Sequence, residues 1–202
     1  SSDLVIICMT GARDEFHRDY EIQEMIAKIS EDGKGDKEKY SYNNISIEPN
    51  TERDYININL LGDTYFGEFY TRVRQKRDRK DALSTYGYSH SFKGIRKLIQ
   101  TGDFNIANFE AALTDIQISP FEGIKPYVLS GNADKTTKEL KSQGIHAVSL
   151  GNNHIMDFGS RGLSDTLLAF KMSEIITFGA GENSKRAEEP LVLTVQGRRF
   201  IF

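Results

Sequence analysis

The sequence predicts an α/β protein in which strands alternate with amphipathic helices and pair at least partly in parallel. Two observations predict this class. Short apolar runs, such as residues 104–107 and 145–150, are separated by segments whose apolar residues recur at helical spacing. Three strands of this pattern also end in clusters of polar side chains, and the carboxyl ends of parallel strands are where α/β folds hold ligands.

The composition excludes several classes of protein. A chain of 202 residues can form one core, or one domain and part of another. Its 38% hydrophobic and 27% charged residues are ordinary for a globular protein, and a net charge of -3 gives no general attraction to nucleic acid or membranes. The single cysteine, Cys8, excludes an internal disulfide, and no apolar stretch approaches the ~20 residues that span a bilayer. We therefore expect no nucleic-acid partner and no transmembrane segment in this chain.

The first 52 residues are predicted to be separate from the rest. Residues 3–9 read as a buried strand, residues 18–29 as a helix, and the polar, turn-rich residues 31–54 as a linker or mobile loop. We expect a domain boundary near residue 52. Residues 1–52 are then a strand-helix segment and a linker, and this segment could be the end of an upstream domain. Residues 53–202 are then the main domain, and we expect its C-terminal part to lie beyond Phe202.

The main domain is predicted to alternate strands and helices. The strands are expected at residues 55–61, 104–107, 145–150 and 175–178, and the helices at residues 68–82, 92–100, 135–144 and 162–173. Residues 190–202 read as two strands that turn at Gln196-Gly197.

Polar side chains follow three of these strands. They are Asp63, then Asn108 and Glu110, then Asn152, Asn153 and His154. Parallel strands bring their carboxyl ends to one edge, where carboxylate, amide and imidazole groups would suit a divalent cation. Two carboxylates buried together without a cation would repel each other strongly. The alternative is three unrelated turns, since Gly, Asn and Asp are common in loops.

The motifs that follow these strands resemble those of a known family. The stretches "GDTYFG", "ANFEAALTD" and "SLGNNHIMDFGSRGLSDTL…FGAGEN" are similar to the capsule-synthesis protein CapA family, which belongs to the calcineurin-like metallophosphoesterases. The resemblance covers about residues 55–202. It implies a layered metallophosphoesterase-like sheet flanked by helices, a divalent metal (Mn, Mg, Zn or Fe), and metal-assisted hydrolysis of a phosphoester in capsule or poly-γ-glutamate biosynthesis.

The resemblance also implies roles for individual residues. Asp63, Glu110 and Asn153 match metal ligands, and His154 matches the histidine that contacts the phosphoryl oxygen and can protonate the leaving group. Asp157 would orient His154 or fix the turn. Asn108 and Asn152 lie beside these residues and are expected to contact substrate.

Two departures from the family pattern leave a second interpretation open. Tyr65 stands where phosphoesterases usually carry a histidine, and no histidine follows His154, although the superfamily supplies further histidine ligands from a later Gly-His-x-His-like segment. The alternative function is a non-catalytic module with a degenerate metal site that binds polyglutamate or assembles a capsule-synthase complex. Expected ligands are a phosphorylated small molecule or polyglutamate, and both an envelope-associated and a cytoplasmic location stay open.

Several other residues each have two interpretations. His90 could line a substrate groove with Tyr86 and Tyr88, or belong to a packed aromatic loop, whereas His146 is expected to be structural and His17 solvated. The basic residues between Arg72 and Lys80 could hold a phosphate or polyanion, or form a solvated helix face. Gly179 and Gly181 could bring backbone amides near a ligand, or form a strand-end turn.

Overall fold

A five-stranded parallel sheet is the centre of the fold. The computed structural model describes residues 4–9, 44–47 and 55–202, so the helix predicted at residues 18–29 and His17 lie outside the described residues. The strands are β1 (Leu4–Met9), β3 (Ile56–Thr64), β4 (Phe104–Phe109), β7 (Ala147–Ser149) and β8 (Ile176–Phe178), in that spatial order. All four pairings are parallel, which confirms the α/β class.

Six α-helices and a 3-10 helix are described. They are α1 (Glu68–Gln75), α2 (Ala82–Tyr86), a 3-10 helix (Tyr88–Phe92), α3 (Arg96–Ile99), α4 (Ala133–Ser142), α5 (Gly159–Met172) and α6 (Ser184–Ala187). Within the described ranges, no helix has the length and apolar content that crossing a membrane would need.

The two faces of the parallel sheet are covered differently. Side chains alternate along a strand, so Leu61 and Ala107 face a core shared with helical residues such as Phe170, while Leu60 and Ile106 face the other side. That second side packs against Leu193 and its neighbours from a smaller sheet. Helices therefore cover one face of the central sheet, and a second sheet covers the other.

The smaller sheet has three strands. β9 (Val192–Val195) lies between β10 (Arg198–Ile201), which is antiparallel to it, and β2 (Asn44–Ile47), which is parallel to it. Gln196 and Gly197 have φ of 50° and 76° and form the predicted tight turn.

The assignment of residues 31–54 to a linker was wrong at β2. Ile45 and Ile47 pack against the core between the two sheets, a strand-like alternation inside an otherwise polar stretch. Both β1 and β2 thus hydrogen-bond into the two sheets of the main domain. The domain boundary near residue 52 stays a prediction.

Two predicted helices are shorter than expected. The helix predicted at residues 68–82 ends at Gln75, and Asp78 adopts a φ of 52° in the turn that follows. Asp81 then caps a separate helix, α2, by accepting a hydrogen bond from the Ser84 amide at 3.0 Å. The helix predicted at residues 92–100 is confined to α3, where Leu98 is 45% exposed.

A buried amide pair lies under the amino end of the central sheet. Nδ2 of Asn59 donates to Oδ1 of Asn105 at 2.8 Å, and both residues are almost fully buried. The side-chain nitrogen Nδ2 of Asn105 donates in turn to the Gly144 carbonyl at 2.9 Å. Gly102 lies against this pair, where an added Cβ would overlap both side-chain amides.

A two-stranded ribbon continues from the end of β4. β5 (Ala112–Leu113) pairs with β6 (Ser130–Gly131), and the segment between them, residues 114–129, returns toward the carboxyl edge of the central sheet. The amide of Leu129, at the end of this segment, donates to Oδ2 of Asp157 at 2.7 Å. This contact fixes the segment beside the motif around His154.

Candidate functional site

Asp63 and Asn108 join the ends of two neighbouring strands. A register shift between Leu61 and Asp63 bends the end of β3, and Asp63 then pairs with Asn108 of β4. Nδ2 of Asn108 donates to Oδ1 of Asp63 at 2.8 Å. The carboxylate of Asp63 is exposed at this edge of the sheet.

Asn152 organises the turn that follows β7. Its Oδ1 accepts hydrogen bonds from the backbone amides of His154 at 3.0 Å and Ile155 at 3.1 Å. Its Nδ2 donates to the Phe109 carbonyl at 2.8 Å and to Oδ1 of Asn108 at 3.2 Å. Because the protein engages both ends of this amide, Asn152 shapes the turn, and a direct contact with substrate stays a prediction.

His154 and Asp157 form a buried hydrogen-bonded pair. Nδ1 of His154 lies 2.7 Å from Oδ2 of Asp157, a carboxylate with no exposed surface. An ionised carboxylate only accepts hydrogen bonds, so Nδ1 carries the proton. This leaves Nε2 facing the site, 3.9 Å from Oε1 of Glu110.

The electrostatics of Glu110 differ from those of an ordinary surface carboxyl. Burial, and then the neighbouring carboxylate of Asp63, raise the pKa of Glu110, while His154 acts in the opposite direction. The phenol of Tyr70 also lies close enough to be affected, since burial, Tyr127 and Glu110 raise the pKa of Tyr70. Asp63 and Glu110 thus repel each other at one edge, a situation that a bound cation would relieve.

Lys125 is a residue of this region that sequence reasoning missed. Its Nζ donates to the carbonyl oxygen of Asn153 at 2.8 Å and forms an ion pair with Oδ1 of Asp157. The side chain of Asn153 itself is exposed. Lys125 lies in the 114–129 segment about thirty residues before the turn, and no motif in the sequence connects the two.

Tyr65, which stands at the position of the missing histidine, is held by hydrogen bonds within the fold. Its hydroxyl donates to the Ser130 carbonyl at 3.1 Å and accepts from the Phe69 amide, in the first turn of α1, at 2.6 Å. Burial is the main reason that the pKa of Tyr65 is raised well above its usual value. Tyr65 therefore connects α1 to β6.

The remaining candidates lie outside this cluster. His90 stacks on Tyr86 with ring centroids 4.6 Å apart, and no hydrogen bond among the described residues connects it to the cluster, so its role in substrate binding stays a prediction. His146 stacks on Phe104, and its Nδ1 accepts a hydrogen bond from the backbone amide of Asn105 at 3.0 Å, as expected for a structural histidine. It lines a polar cavity of about 510 Å³ at the opposite, amino edge of the sheet.

The glycines after β8 support a strand-end turn. Gly179 has a φ of 79°, and a Cβ on it would lie 2.9 Å from the backbone nitrogen of Gly151. Both features require glycine, since the backbones approach closely and the conformation is left-handed.

The donor set of the edge matches the chemistry of a divalent cation. Asp63 and Glu110 supply carboxylates, Asn153 an amide and His154 a free ring nitrogen, the groups that hard and borderline cations bind. Within the described part of the chain, no three His, Cys, Asp or Glu side chains lie close enough to form an ion site by themselves. An amide ligand, or further ligands, would have to complete the shell.

Most of the chain is similar to known bacterial capsule synthesis proteins. The family model described as bacterial capsule synthesis protein PGA_cap matches residues 57–202. The capsule biosynthesis protein CapA of Bacillus anthracis is 26% identical over 148 residues, which cover 73% of this chain and 34% of that protein. The PGA biosynthesis protein CapA of Bacillus subtilis is 25% identical over 138 residues, covering 68% and 33%.

A shorter match has higher identity. A "Probable polyglutamine synthesis accessory protein" of Mycobacterium tuberculosis is 41% identical over 56 residues, which cover 28% of this chain and 15% of that protein. The chain spans about a third of the length of the two CapA relatives.

Proposed function

The chain belongs to the bacterial capsule synthesis protein family, and on this premise we propose that it carries a metal-assisted phosphoester hydrolase site used in capsule or polyglutamate biosynthesis. The main support is the position of Nε2 of His154 beside Glu110, on the edge where Asn108 holds Asp63. We propose a phosphorylated small molecule as the substrate class, since a bound cation together with a proton donor can act on a phosphoester.

The metal would be held by Asp63, Glu110 and the side-chain carbonyl of Asn153. A divalent cation bound there would acidify a water and neutralise charge on the phosphoryl group. Glu110 binds a cation as the carboxylate, so its raised pKa makes binding sensitive to mild acid.

His154 would handle the proton. Asp157 holds the proton of Nδ1, so the second ring nitrogen, Nε2, is directed at the substrate side of the site. When it is protonated, Nε2 can donate to the leaving oxygen, the step in which general acid catalysis assists most.

The test is metal binding and hydrolysis by the same preparation. We expect calorimetry to detect binding of Mn²⁺ to the metal-free chain, and bis-p-nitrophenyl phosphate to be hydrolysed only with metal. Asp63→Asn and Glu110→Gln should abolish both, while Asp115→Asn and Glu122→Gln, which change exposed carboxylates elsewhere, should preserve both. The proposal would be refuted if the wild type bound none of Mn²⁺, Mg²⁺, Zn²⁺ and Fe²⁺.

A second candidate function is polyglutamate binding, favoured by a basic strip. The strip is defined as the six cations Arg72, Arg74, Lys76, Arg77, Arg79 and Lys80. All six are exposed, and none forms an ion pair with a carboxylate among the described residues. Residues 72–80 contain one acid, Asp78, so they carry +5 in a chain of net -3, and the other residues together carry -8. Such a strip would attract a polyanion at low ionic strength.

Binding of poly-γ-glutamate to the full chain tests this candidate. Arg74→Ala, Arg77→Ala and Arg79→Ala together should weaken binding and reduce its salt dependence, since they remove exposed charge. The control replaces Lys135, Lys138 and Lys171, three exposed lysines on α4 and α5, with alanine. Equal weakening by both triple variants would show a general charge effect and refute a specific strip.

A further inference from the structure

Lys125 holds both ends of the turn that carries the candidate catalytic group. Its ammonium bonds the carbonyl of Asn153 at 2.8 Å at one end and the carboxylate of Asp157 at the other. Asp157 is fully buried, and the Lys125 side chain is only 28% exposed. One cation therefore ties the 114–129 segment to residues 153–157.

We propose that Lys125 is a positioning residue for His154, a role that rests on the proposed hydrolase function. The two oxygens of Asp157 have different partners. Oδ2 accepts from His154 Nδ1 and the Leu129 amide, both at 2.7 Å, and Oδ1 accepts from Lys125. The plane of the carboxylate is thus fixed from both sides, and it sets the direction of the imidazole.

Loss of the ammonium would release this arrangement. Oδ1 of Asp157 would remain buried without its partner, which is costly for a charged oxygen. The carboxylate would then rotate or admit water, and the imidazole would lose its single orientation. The carbonyl of Asn153 would lose a partner in the same step, so the turn would loosen at both ends.

Direct binding of substrate phosphate by Lys125 is the competing role. An ammonium has three N–H donors, and Asn153 and Asp157 use two of them. The geometry favours the positioning role, because the two engaged N–H donors of Lys125 bind residues 153 and 157 of the turn. The two roles separate kinetically, since a lost phosphate contact raises KM, while a misplaced proton donor lowers kcat.

The first test needs no metal and no substrate. In the metal-free full chain, ring ¹⁵N signals of His154, assigned by their absence in His154→Gln, should show one tautomer protonated at Nδ1. Lys125→Met should broaden or split these signals. Lys141→Met should not, because it removes the exposed Lys141–Glu174 ion pair, which joins α4 to the turn after α5. Unchanged His154 signals in Lys125→Met would refute the proposal.

The second test compares leaving groups. General acid catalysis matters most for poor leaving groups, so Lys125→Met should lower kcat by about 10- to 100-fold for phenyl phosphate, and less for p-nitrophenyl phosphate. KM should stay within a factor of about two for both esters, as expected when no ground-state contact is lost. Equal losses of kcat for the two esters, or a change confined to KM, would refute positioning through His154.

A chemical rescue separates the ammonium from general packing. Lys125→Cys treated with 2-bromoethylamine regains a side chain of nearly the same length that ends in an ammonium, and it should regain the wild-type ring signals and leaving-group dependence. The wild type treated identically controls for modification of Cys8, the single native cysteine. Inactivity of the wild type toward both of these monoesters and toward bis-p-nitrophenyl phosphate would refute the hydrolase, while the ring signals would still decide whether Lys125 positions His154.

Discussion

The amide of Asn108 donates its hydrogen bond to the carboxylate of Asp63 at 2.8 Å, across the ends of β4 and β3. This contact places a neutral donor, and not a third carboxylate, beside the carboxylate of Asp63. The choice of Asn therefore limits the negative charge that the edge must tolerate without a cation.

Asn108→Asp should make stability depend on divalent metal. In EDTA, we expect the free energy of unfolding to fall by about 1 kcal/mol, because like charges then face each other at a partly solvated edge. Saturating Mn²⁺ should recover most of this loss. Urea unfolding monitored by circular dichroism measures both conditions.

Asn132→Asp is the matched control, since Asn132 caps α4 by accepting from the Lys135 amide and Asp is an equally good cap. If Mn²⁺ does not restore the free energy of unfolding that Asn108→Asp loses, the result would count against a cation at this edge.

The raised pKa of Glu110 predicts a pH dependence for the metal-free protein. A carboxyl whose pKa is higher in the folded state binds more protons there, so its contribution favours folding below the unfolded value and is lost as pH rises through the folded value. Stability of the wild type should therefore decline relative to Glu110→Gln as the pH rises above about 4.5, the ordinary value of this group.

Urea unfolding at a series of pH values in EDTA tests this difference. Glu122→Gln, which changes an exposed carboxyl, should follow the wild type. A parallel profile for wild type and Glu110→Gln would show that burial and Asp63 do not perturb Glu110.

Tyr65→Phe separates structure from metal binding at the position of the missing histidine. The variant loses hydrogen bonds to Ser130 and Phe69, so we expect the free energy of unfolding to fall by about 1–3 kcal/mol. Mn²⁺ affinity measured by calorimetry should be unchanged. Loss of metal binding with full stability would instead identify the phenol as a ligand.

Gly102→Ala should be strongly destabilising. The new methyl group would overlap the side chains of Asn59 and Asn105, which are buried and cannot move apart without losing their hydrogen bond. Overpacking of this kind costs about 1–3 kcal/mol.

Gly94→Ala provides the comparison, because no atom lies within 4 Å of the position that its new methyl group would take, and its φ is not left-handed. We expect a change of no more than about 0.5 kcal/mol there. Similar thermal midpoints for the two variants would show that the amide pair can adjust.

Local patterns were sufficient to predict much of the fold. The helix predicted at residues 135–144 is α4 (Ala133–Ser142), and Gly144, with a φ of 80°, follows its end as its position in the sequence indicates. The alternation of Leu60 and Leu61 between the two cores follows from strand geometry alone.

The errors lie where tertiary contacts override local pattern. The strand β2 depends on pairing with β9, almost 150 residues later, and the polar residues around it conceal that partner. The charged run after α1 looked continuous with the helix, but it has no apolar face to bury, and Asp78 adopts a left-handed conformation.

The candidate site shows the same division. Asp63, Asn108 and Glu110 could be grouped in advance because parallel strands end at one edge. Lys125 could not, because a lysine in an irregular segment has no periodicity or motif, and its importance arises only from contact with Asp157.

The pairing of β1 with β3 has a practical consequence for shortened versions of this protein. A version starting at residue 53 would lack the edge strands β1 and β2, so the interior strands β3 and β9 would become edge strands with one unpaired row of backbone groups each. Exposed strands of that kind recruit strands from other molecules, so such a version should self-associate and precipitate at concentrations where the 202-residue chain stays dispersed.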